Sequence, residues 1–377
     1  MFDKEEKLCY TRRGFIRLPM KTLSCLVCCA ALVALTGCGS SRSPLSAPKP
    51  LSEQFGIPLY GTTDDAIRYV CTEMEKGNTP IMLRLKQGAS MAKAREIALG
   101  TKHRARTFSV RCEALGDMMV FHPRYVDGVL MLRVFRGDAP ESSLTTQQLE
   151  ALNRARAVVA DVKSRYSSDY DRALALHDHL VSRHSYDEGS FHHSSPASDL
   201  LISTTGNCDA YARVYWLLLH MAGIENLYVS GVSRRGINHG WNLVKIDGEW
   251  IHVDCTSDDP VPDVPGRSLR TFFGLPDQKM EKLNSWERTL YPRSDSLSLW
   301  WPTKRGLCFD TVDDLVSYCE RNGKSGECIV ARVEELKDRK NRAMILIGES
   351  QKKRGKAIIS SFRRDDDIPS VIECYIP

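Results

Sequence analysis

Apolar positions along this chain recur with two periods. Leu149, Leu152, Ala155, Val158, Val159 and Val162 share one face of a segment spanning 145–166. Ala173, Leu174, Leu176, His177, Leu180 and Val181 do the same in a segment opening at Asp169. Spacing of three and four predicts two amphipathic helices. Residues 213–219 are apolar on nearly every side, which predicts a buried helix with Cys208 in its first turn. Residues 64–76 predict a further helix, with Thr63 or Asp64 as its cap and Gly77-Asn78 as its stop. The alternating run 81–85 predicts a strand, and 105–112, 117–122 and 129–135 are read as others. Two more strands, 237–244 and 249–256, flank Asp247-Gly248, a hairpin signal.

The elements predict an α+β chain divided as 1–38, 39–58, 59–140, 141–303 and 304–377. The stretch 39–58 is rich in Ser, Pro and Ala, the composition of a flexible tether. Segments 59–140 and 304–377 read as small α+β modules flanking the middle one. Segment 304–377 also resembles a repeat of segment 59–140. Asp313-Asp314-Leu315-Val316-Ser317-Tyr318 matches Asp64-Asp65-Ala66-Ile67-Arg68-Tyr69, and Gly326 matches Gly77 at the same offset.

Composition is that of a globular protein, 42% hydrophobic and 26% charged. Beyond residue 37 there remain 46 basic against 44 acidic residues, which gives no reason to expect a nucleic-acid partner. The N-terminus changes the picture more. Lys21 precedes an apolar run, 23–35, that has the form of a secretory signal and is short for a membrane span. It ends in Leu35-Thr36-Gly37-Cys38, which resembles the lipobox of bacterial lipoproteins. The resemblance implies that Cys38 is lipidated, anchoring an exported domain to a membrane, facing the periplasm or the cell exterior. Met20-Lys21 alone would open a complete signal, whereas Thr11-Arg12-Arg13-Gly14-Phe15-Ile16 resembles a twin-arginine export motif. A start at Met20 is the preferred reading. Eight cysteines follow Cys38, with no CxxC among them, so no zinc site is expected and disulfide pairing stays open.

Three short stretches carry chemistry. In Gly206-Asn207-Cys208-Asp209-Ala210-Tyr211-Ala212, the cysteine sits where unpaired amides and the helix dipole favour a thiolate. His239 lies in Asn238-His239-Gly240-Trp241-Asn242, and Asp254 in His252-Val253-Asp254-Cys255-Thr256. A hairpin centred on Asp247-Gly248 sets position 239 opposite about 256, so a bulge or small register shift is needed to align His239 with Asp254. The carboxylate would then hold the imidazole in one tautomer, with its other nitrogen free for the thiol proton.

These stretches, in this order, resemble the transglutaminase-like superfamily, particularly its bacterial lipoprotein members. So do His177-Asp178-His179-Leu180-Val181 and Phe272-Phe273-Gly274-Leu275-Pro276-Asp277; together they span about 145–280. The resemblance implies a papain-like core, its Cys-bearing helix packed on an antiparallel sheet. It implies Cys208 as nucleophile, His239 as general base and acid, and Asp254 as the group orienting His239. Trp241, Asn207 and Tyr211 are expected at the cleft wall, and no cofactor is expected. Two positions depart from the family pattern. Cys255 stands where relatives often have an apolar residue, and Ser257 where they often have an aromatic one; Cys255 could offer Cys208 a disulfide partner. The family's chemistry runs through an acyl-enzyme. Hydrolysis of a peptide or isopeptide bond in a protein or cell-wall peptide is the favoured outcome. Glutamine transamidation or deamidation is the alternative, as is an inactive peptide-binding module.

Overall fold

The computed structural model describes residues 6–11, 14–19, 51–54, 56–104, 109–187, 196–259, 269–324, 328–336, 343–354, 359, 361–364 and 371–376. Two units result, 1–54 and 55–377. In the first, β1 (Glu6–Thr11) and β2 (Gly14–Pro19) form an antiparallel hairpin, and α1 covers Leu51–Gln54. The apolar leader and Cys38 lie outside the described residues. Among the described residues, no helix is long and apolar enough to cross a membrane.

The second unit opens with β3 (Leu59–Tyr60), α2 (Thr63–Glu75), β4 (Ile81–Leu85), α3 (Met91–Arg104), β5 (Ser109–Leu115) and β6 (Met118–Arg124). Its sheet has the order β3-β4-β6-β5, with β3 parallel to β4 and the other pairs antiparallel. The cap of α2 is Thr62, one residue before the expected candidates; its side chain accepts the Asp65 amide at 3.1 Å. The expected strand at 129–135 is instead a helix, α4 (Asp127–Arg136). The run never alternates. Asp127 in its first turn, Arg133 and Arg136 in its last and a left-handed Gly137 all suit a helix. Asp127 also accepts the amides of Ala197 and Ser198, at 3.1 and 2.7 Å. It thereby caps the next-but-two helix, whose own N-cap is Pro196.

Next come α5 (Thr146–Arg165), α6 (Asp169–Arg183), β7 (Ser185–Tyr186), α7 (Ala197–Ser203), β8 (Thr205–Gly206) and α8 (Cys208–Ala222). A capping box of Thr145 and Gln148 starts α5, and Ser168 caps α6. A five-stranded antiparallel sheet follows: β9 (Asn226–Ser233), β10 (Asn238–Ile246), β11 (Glu249–Val253), β12 (Phe273–Leu275) and β13 (Asn284–Trp286), ordered β12-β11-β10-β9-β13. Short helices α9 (Asp277–Met280) and α10 (Trp301–Lys304) lie beyond β12 and β13 in the chain. The expected hairpin joins β10 to β11: Ile246 faces Glu249, and Asp247 and Gly248 both take positive φ, as a type I′ turn requires.

Alternation along β10 splits its side chains between two cores. Val244 and Ile246 join the core that also holds α5, α6 and α8, in which Tyr211, Tyr215, Leu217 and Leu218 are wholly buried. Each such leucine contributes roughly 1.5–3 kcal/mol. Trp241 and Leu243 join a second core with Leu275, Met280 and Trp300. The chain ends with β14 (Cys308–Phe309), α11 (Val312–Asn322), β15 (Cys328–Val333), α12 (Ala343–Arg354), β16 (Ser361–Arg364) and β17 (Val371–Tyr375). Its sheet, β14-β15-β17-β16, has the strand order and sense of the first four-stranded sheet, with helices at the same places between strands.

Candidate active site

The polypeptide places Cys208 at the first position of α8. Asn207 caps the helix by accepting the Ala210 amide at 3.1 Å, and Gly206 before it has room for no side chain without pressing Ala210 and Leu200. Amides at the start of a helix have no intrahelical acceptor and carry the positive end of its dipole. Cys208 is 8% exposed, and its sulfur approaches the Asn238 carbonyl at 4.0 Å. Asn238 opens β10, so the strand delivers His239 beside the thiol.

His239 and Asp254 meet: Nε2 lies 2.7 Å from the Asp254 carboxylate. The expected bulge between β10 and β11 is not how. Their register runs unbroken from Ile246–Glu249 to Asn242–Val253, and β11 then ends. Past Val253 the chain turns out of the sheet, and Asp254 reaches His239 from that turn. The irregularity lies instead between β11 and β12, at His252 and Val253. With Nε2 held by the carboxylate, the ring's other nitrogen is left for the Cys208 thiol, with which the imidazole also interacts. Burial works against charging this imidazole. The Asp254 charge and hydrogen bond, helped by Cys208, outweigh it and push the pKa up to about 10.

The Asp254 carboxylate is 1% exposed and well bonded. Ser257 donates its hydroxyl at 2.7 Å and its amide at 3.1 Å. Burial alone would raise this carboxyl; His239 and the two Ser257 bonds hold it below its ordinary value. Ser257, in the sequence only a departure from the family pattern, is thus the residue that closes the turn around the carboxylate. Cys255 points away into the core, 3% exposed, and burial with the neighbouring carboxylates pushes its thiol well up. Cys208 and Cys255 are both free thiols, so the disulfide that their residue types would allow is not formed.

The three residues expected on the cleft wall are all buried, and their work is internal. Asn207 is the helix cap. Tyr211 donates to Asp259 at 2.5 Å from within the core. Trp241 stacks under His239, with ring centres 5.7 Å apart, and forms a floor rather than a wall. Its indole donates to His252 Nδ1 at 2.9 Å, which leaves the proton on Nε2 for Asp277, also at 2.9 Å. Asp277 is in turn held by Arg288 at 2.7 Å. The floor is therefore pinned from beneath by buried His252 and Asp277, and the chain ends at the exposed Arg288.

A second network lies behind Asp254. His177, wholly buried, bonds Asp178 through Nδ1 at 3.1 Å and Asp258 through Nε2 at 3.0 Å. Arg270 grips Asp178, and Asp258 accepts the Phe272 amide while its own amide reaches the Asp254 carbonyl. Burial opposes a charge on His177, yet its two carboxylate partners push it up to about 9. Burial likewise pushes Asp258 up, to about 6, against the pull of His177. Periodicity identified His177 as core; nothing in spacing signalled that it ties α6 to the turn carrying Asp254.

A thiol at a helix start, an imidazole on the adjoining strand and a buried carboxylate beyond it are the three kinds of group that thiol acyl transfer uses. Residues 156–255 match the family model of the transglutaminase-like superfamily, an interval that contains all three. The match to that superfamily's model is confined to this interval. Among curated proteins it is 27% identical over 143 residues to the kyphoscoliosis peptidase of Mus musculus, covering 34% of this chain and 21% of that one. To the Homo sapiens kyphoscoliosis peptidase it is 24% identical over 124 residues, covering 29% and 19%. The chain thus matches about a fifth of these relatives' length. Solved structures similar to it include a TGase at 12% identity and TM-score 0.28, covering 53% of this chain and 59% of that one. Another is the periplasmic domain of TgpA from Pseudomonas aeruginosa, at 16% identity and TM-score 0.26, covering 38% and 56%.

Proposed function

We propose that this protein is a thiol-dependent acyl-transfer enzyme that hydrolyses peptide or isopeptide bonds, with Cys208 as nucleophile, His239 as acid and base, and Asp254 orienting His239. The observation that carries the reading is the 2.7 Å bond between His239 Nε2 and Asp254, made with the imidazole beside the Cys208 sulfur. Cys208 Sγ attacks the substrate carbonyl carbon, and the carbonyl electron pair moves to oxygen. The Cys208 amide, at the first helical position, is placed to donate to that oxyanion. His239 gives its proton to the leaving nitrogen, the C–N bond breaks and a thioester remains. Water, losing a proton to His239, then attacks the thioester, releasing the acid and restoring the thiol pair. Cys208 keeps 8% and the His239 side chain 14% of its surface exposed, so the pair is recessed but open to water as the ready acceptor. An amine held in its place would give transamidation, and a glutamine carboxamide as donor would release ammonia. The substrate class is an exported protein or cell-wall peptide, met at a bacterial membrane surface to which lipid on Cys38 holds the enzyme. The lipobox resemblance supports that location.

Incubation with glutamine-containing and isopeptide-linked peptides, with and without a primary amine, followed by mass measurement, tests the reading. Chain cleavage that disappears in Cys208→Ala is expected. Unchanged peptides under every condition, with the protein folded, would leave a peptide-binding module; amine incorporation without cleavage would replace hydrolysis by transfer.

A further inference from the structure

Beyond the proposed triad, the ring beneath His239 is held in a way that packing does not require. Gly231 stands opposite His239 in the ladder, and a Cβ there would lie 2.6 Å from the Trp241 ring, so the absent side chain leaves room for the indole. Trp286 meets that indole edge-on, with ring centres 5.6 Å apart. The remaining hold is polar. Trp241 Nε1 can only donate, so His252 Nδ1, 2.9 Å away, is an acceptor. The His252 proton then sits on Nε2, aimed at Asp277 at 2.9 Å. Burial keeps the His252 pKa below its ordinary value, which favours this neutral form. A cationic His252 would set two N–H donors against each other at the indole. Arg288, 2.7 Å from Asp277, balances the carboxylate without a second proton on the imidazole. Replacing a buried polar pair by apolar groups of the same shape is nearly neutral for stability. Packing alone therefore gives no reason for such a chain under His239.

We propose that His252 and Asp277 are positioning residues for the reacting pair: by holding Trp241 Nε1 they fix the indole face on which the His239 imidazolium rests, and so make Cys208 easier to ionise. This role rests on the reading of Cys208 and His239 as that pair. An indole face carries partial negative charge and attracts a cation within about 6 Å of its centre. The His239 and Trp241 rings lie 5.7 Å apart and are inclined by 24°. An N–H that donates to an acceptor leaves more electron density on its own ring, and successive bonds in a chain reinforce one another. Donation runs from Trp241 to His252 to Asp277, away from His239, so each bond adds to the negative charge that the imidazolium meets.

Iodoacetamide labelling of Cys208 on the full chain, followed across pH with the exposed Cys308 as an ordinary thiol, reads the midpoint at which the sulfur ionises. Trp241→Leu is expected to raise that midpoint by about 1 unit and His252→Leu by about 0.5 unit. Below the midpoint these shifts slow labelling by about 10-fold and about 3-fold. His252→Asn, whose amide oxygen can stand in for Nδ1, should restore most of the native midpoint. Adding His252→Leu to Trp241→Leu should shift it no further, because the one acts through the other. Leu243→Ala loosens the same core opposite His252 in the ladder without touching the chain, and should leave the midpoint alone. Three results would each overturn the role and leave the triad standing: a folded His252→Leu with the native midpoint, an equal shift in Leu243→Ala, or an undiminished His252→Leu shift without Trp241. Nitrogen-15 NMR of the native protein's histidines reads the chain without a substitution. His252 should be neutral at pH 7 with its proton on Nε2, and a charged His252 or a proton on Nδ1 would overturn the role as well. Native Cys208 labelling no faster than Cys308 at any pH, in folded protein, would remove the reacting pair and the role with it.

Discussion

Replacing Asp254 by Asn separates a charged orienting group from a merely polar one. The carboxylate makes three bonds, to His239 Nε2 at 2.7 Å and to Ser257 at 2.7 and 3.1 Å. An Asn carboxamide has nearly the same shape and can still accept from Nε2, so the ring stays in place. What disappears is the negative charge that holds the imidazole protonated well above its ordinary pKa of 6.5. The burial that opposes charging remains and only the help from Cys208 is left against it, so the pKa of His239 falls in the variant and less of the imidazole is cationic at pH 7. A cation beside the sulfur is what keeps a cysteine nucleophilic near neutrality. A hydrogen bond to a charged group is worth about 1.5–3 kcal/mol, which converts to a fall of about 10- to 150-fold in the alkylation rate of Cys208. The assay is iodoacetamide labelling followed by peptide mass, from pH 5 to 9. The exposed Cys308 serves as an internal ordinary thiol. The native protein should label Cys208 well ahead of Cys308 at pH 6, and the variant should lose that lead. A folded Asp254→Asn protein labelling Cys208 within about twofold of the native rate at pH 7 would refute the argument.

Two further substitutions probe the frame. His177→Asn breaks a buried ion pair and should cost about 3–5 kcal/mol in chemical denaturation. Because His177 is raised from 6.5 to about 9 in the fold, its contribution is complete below pH 6.5 and lost as pH rises through about 9. The stability gap between native and variant should therefore narrow between those values, and a gap independent of pH would show that His177 acts only by packing. Gly240→Ala would place a Cβ 2.3 Å from the Tyr228 hydroxyl, which donates to Asp209 next to Cys208. Overpacking of this kind costs about 1–3 kcal/mol. Thermal melting should register it, with a larger loss than for alanine at the open, positive-φ Gly236 only if the tyrosine cannot yield.

Much of the site's outline was legible because the local signals were strong. The hairpin followed from Asp247-Gly248, since few residues other than Asn, Asp and Gly accept the positive φ of both turn positions. The helices of 145–183 followed from apolar spacing alone; their Thr145 and Ser168 caps emerged only in the structure. The α4 segment misled because a short apolar run suits a buried strand as well as a buried helix. Neighbours, not composition, decide between them.

The sequence alone determined which groups could react: one cysteine opening an apolar helix, one histidine and one aspartate on either limb of a hairpin. Residue type and local φ, ψ preference are properties of a few neighbouring positions, so they survive in the linear order. Tertiary structure decided how those groups meet and what supports them. Asp254 reaches His239 from a turn beyond the ladder, Ser257 seals the carboxylate, and Trp241 lies beneath the imidazole on a chain ending at Arg288. His177 binds Asp258 across 81 positions. Such contacts depend on burial and on distances between segments remote in the chain, and no period or spacing encodes them.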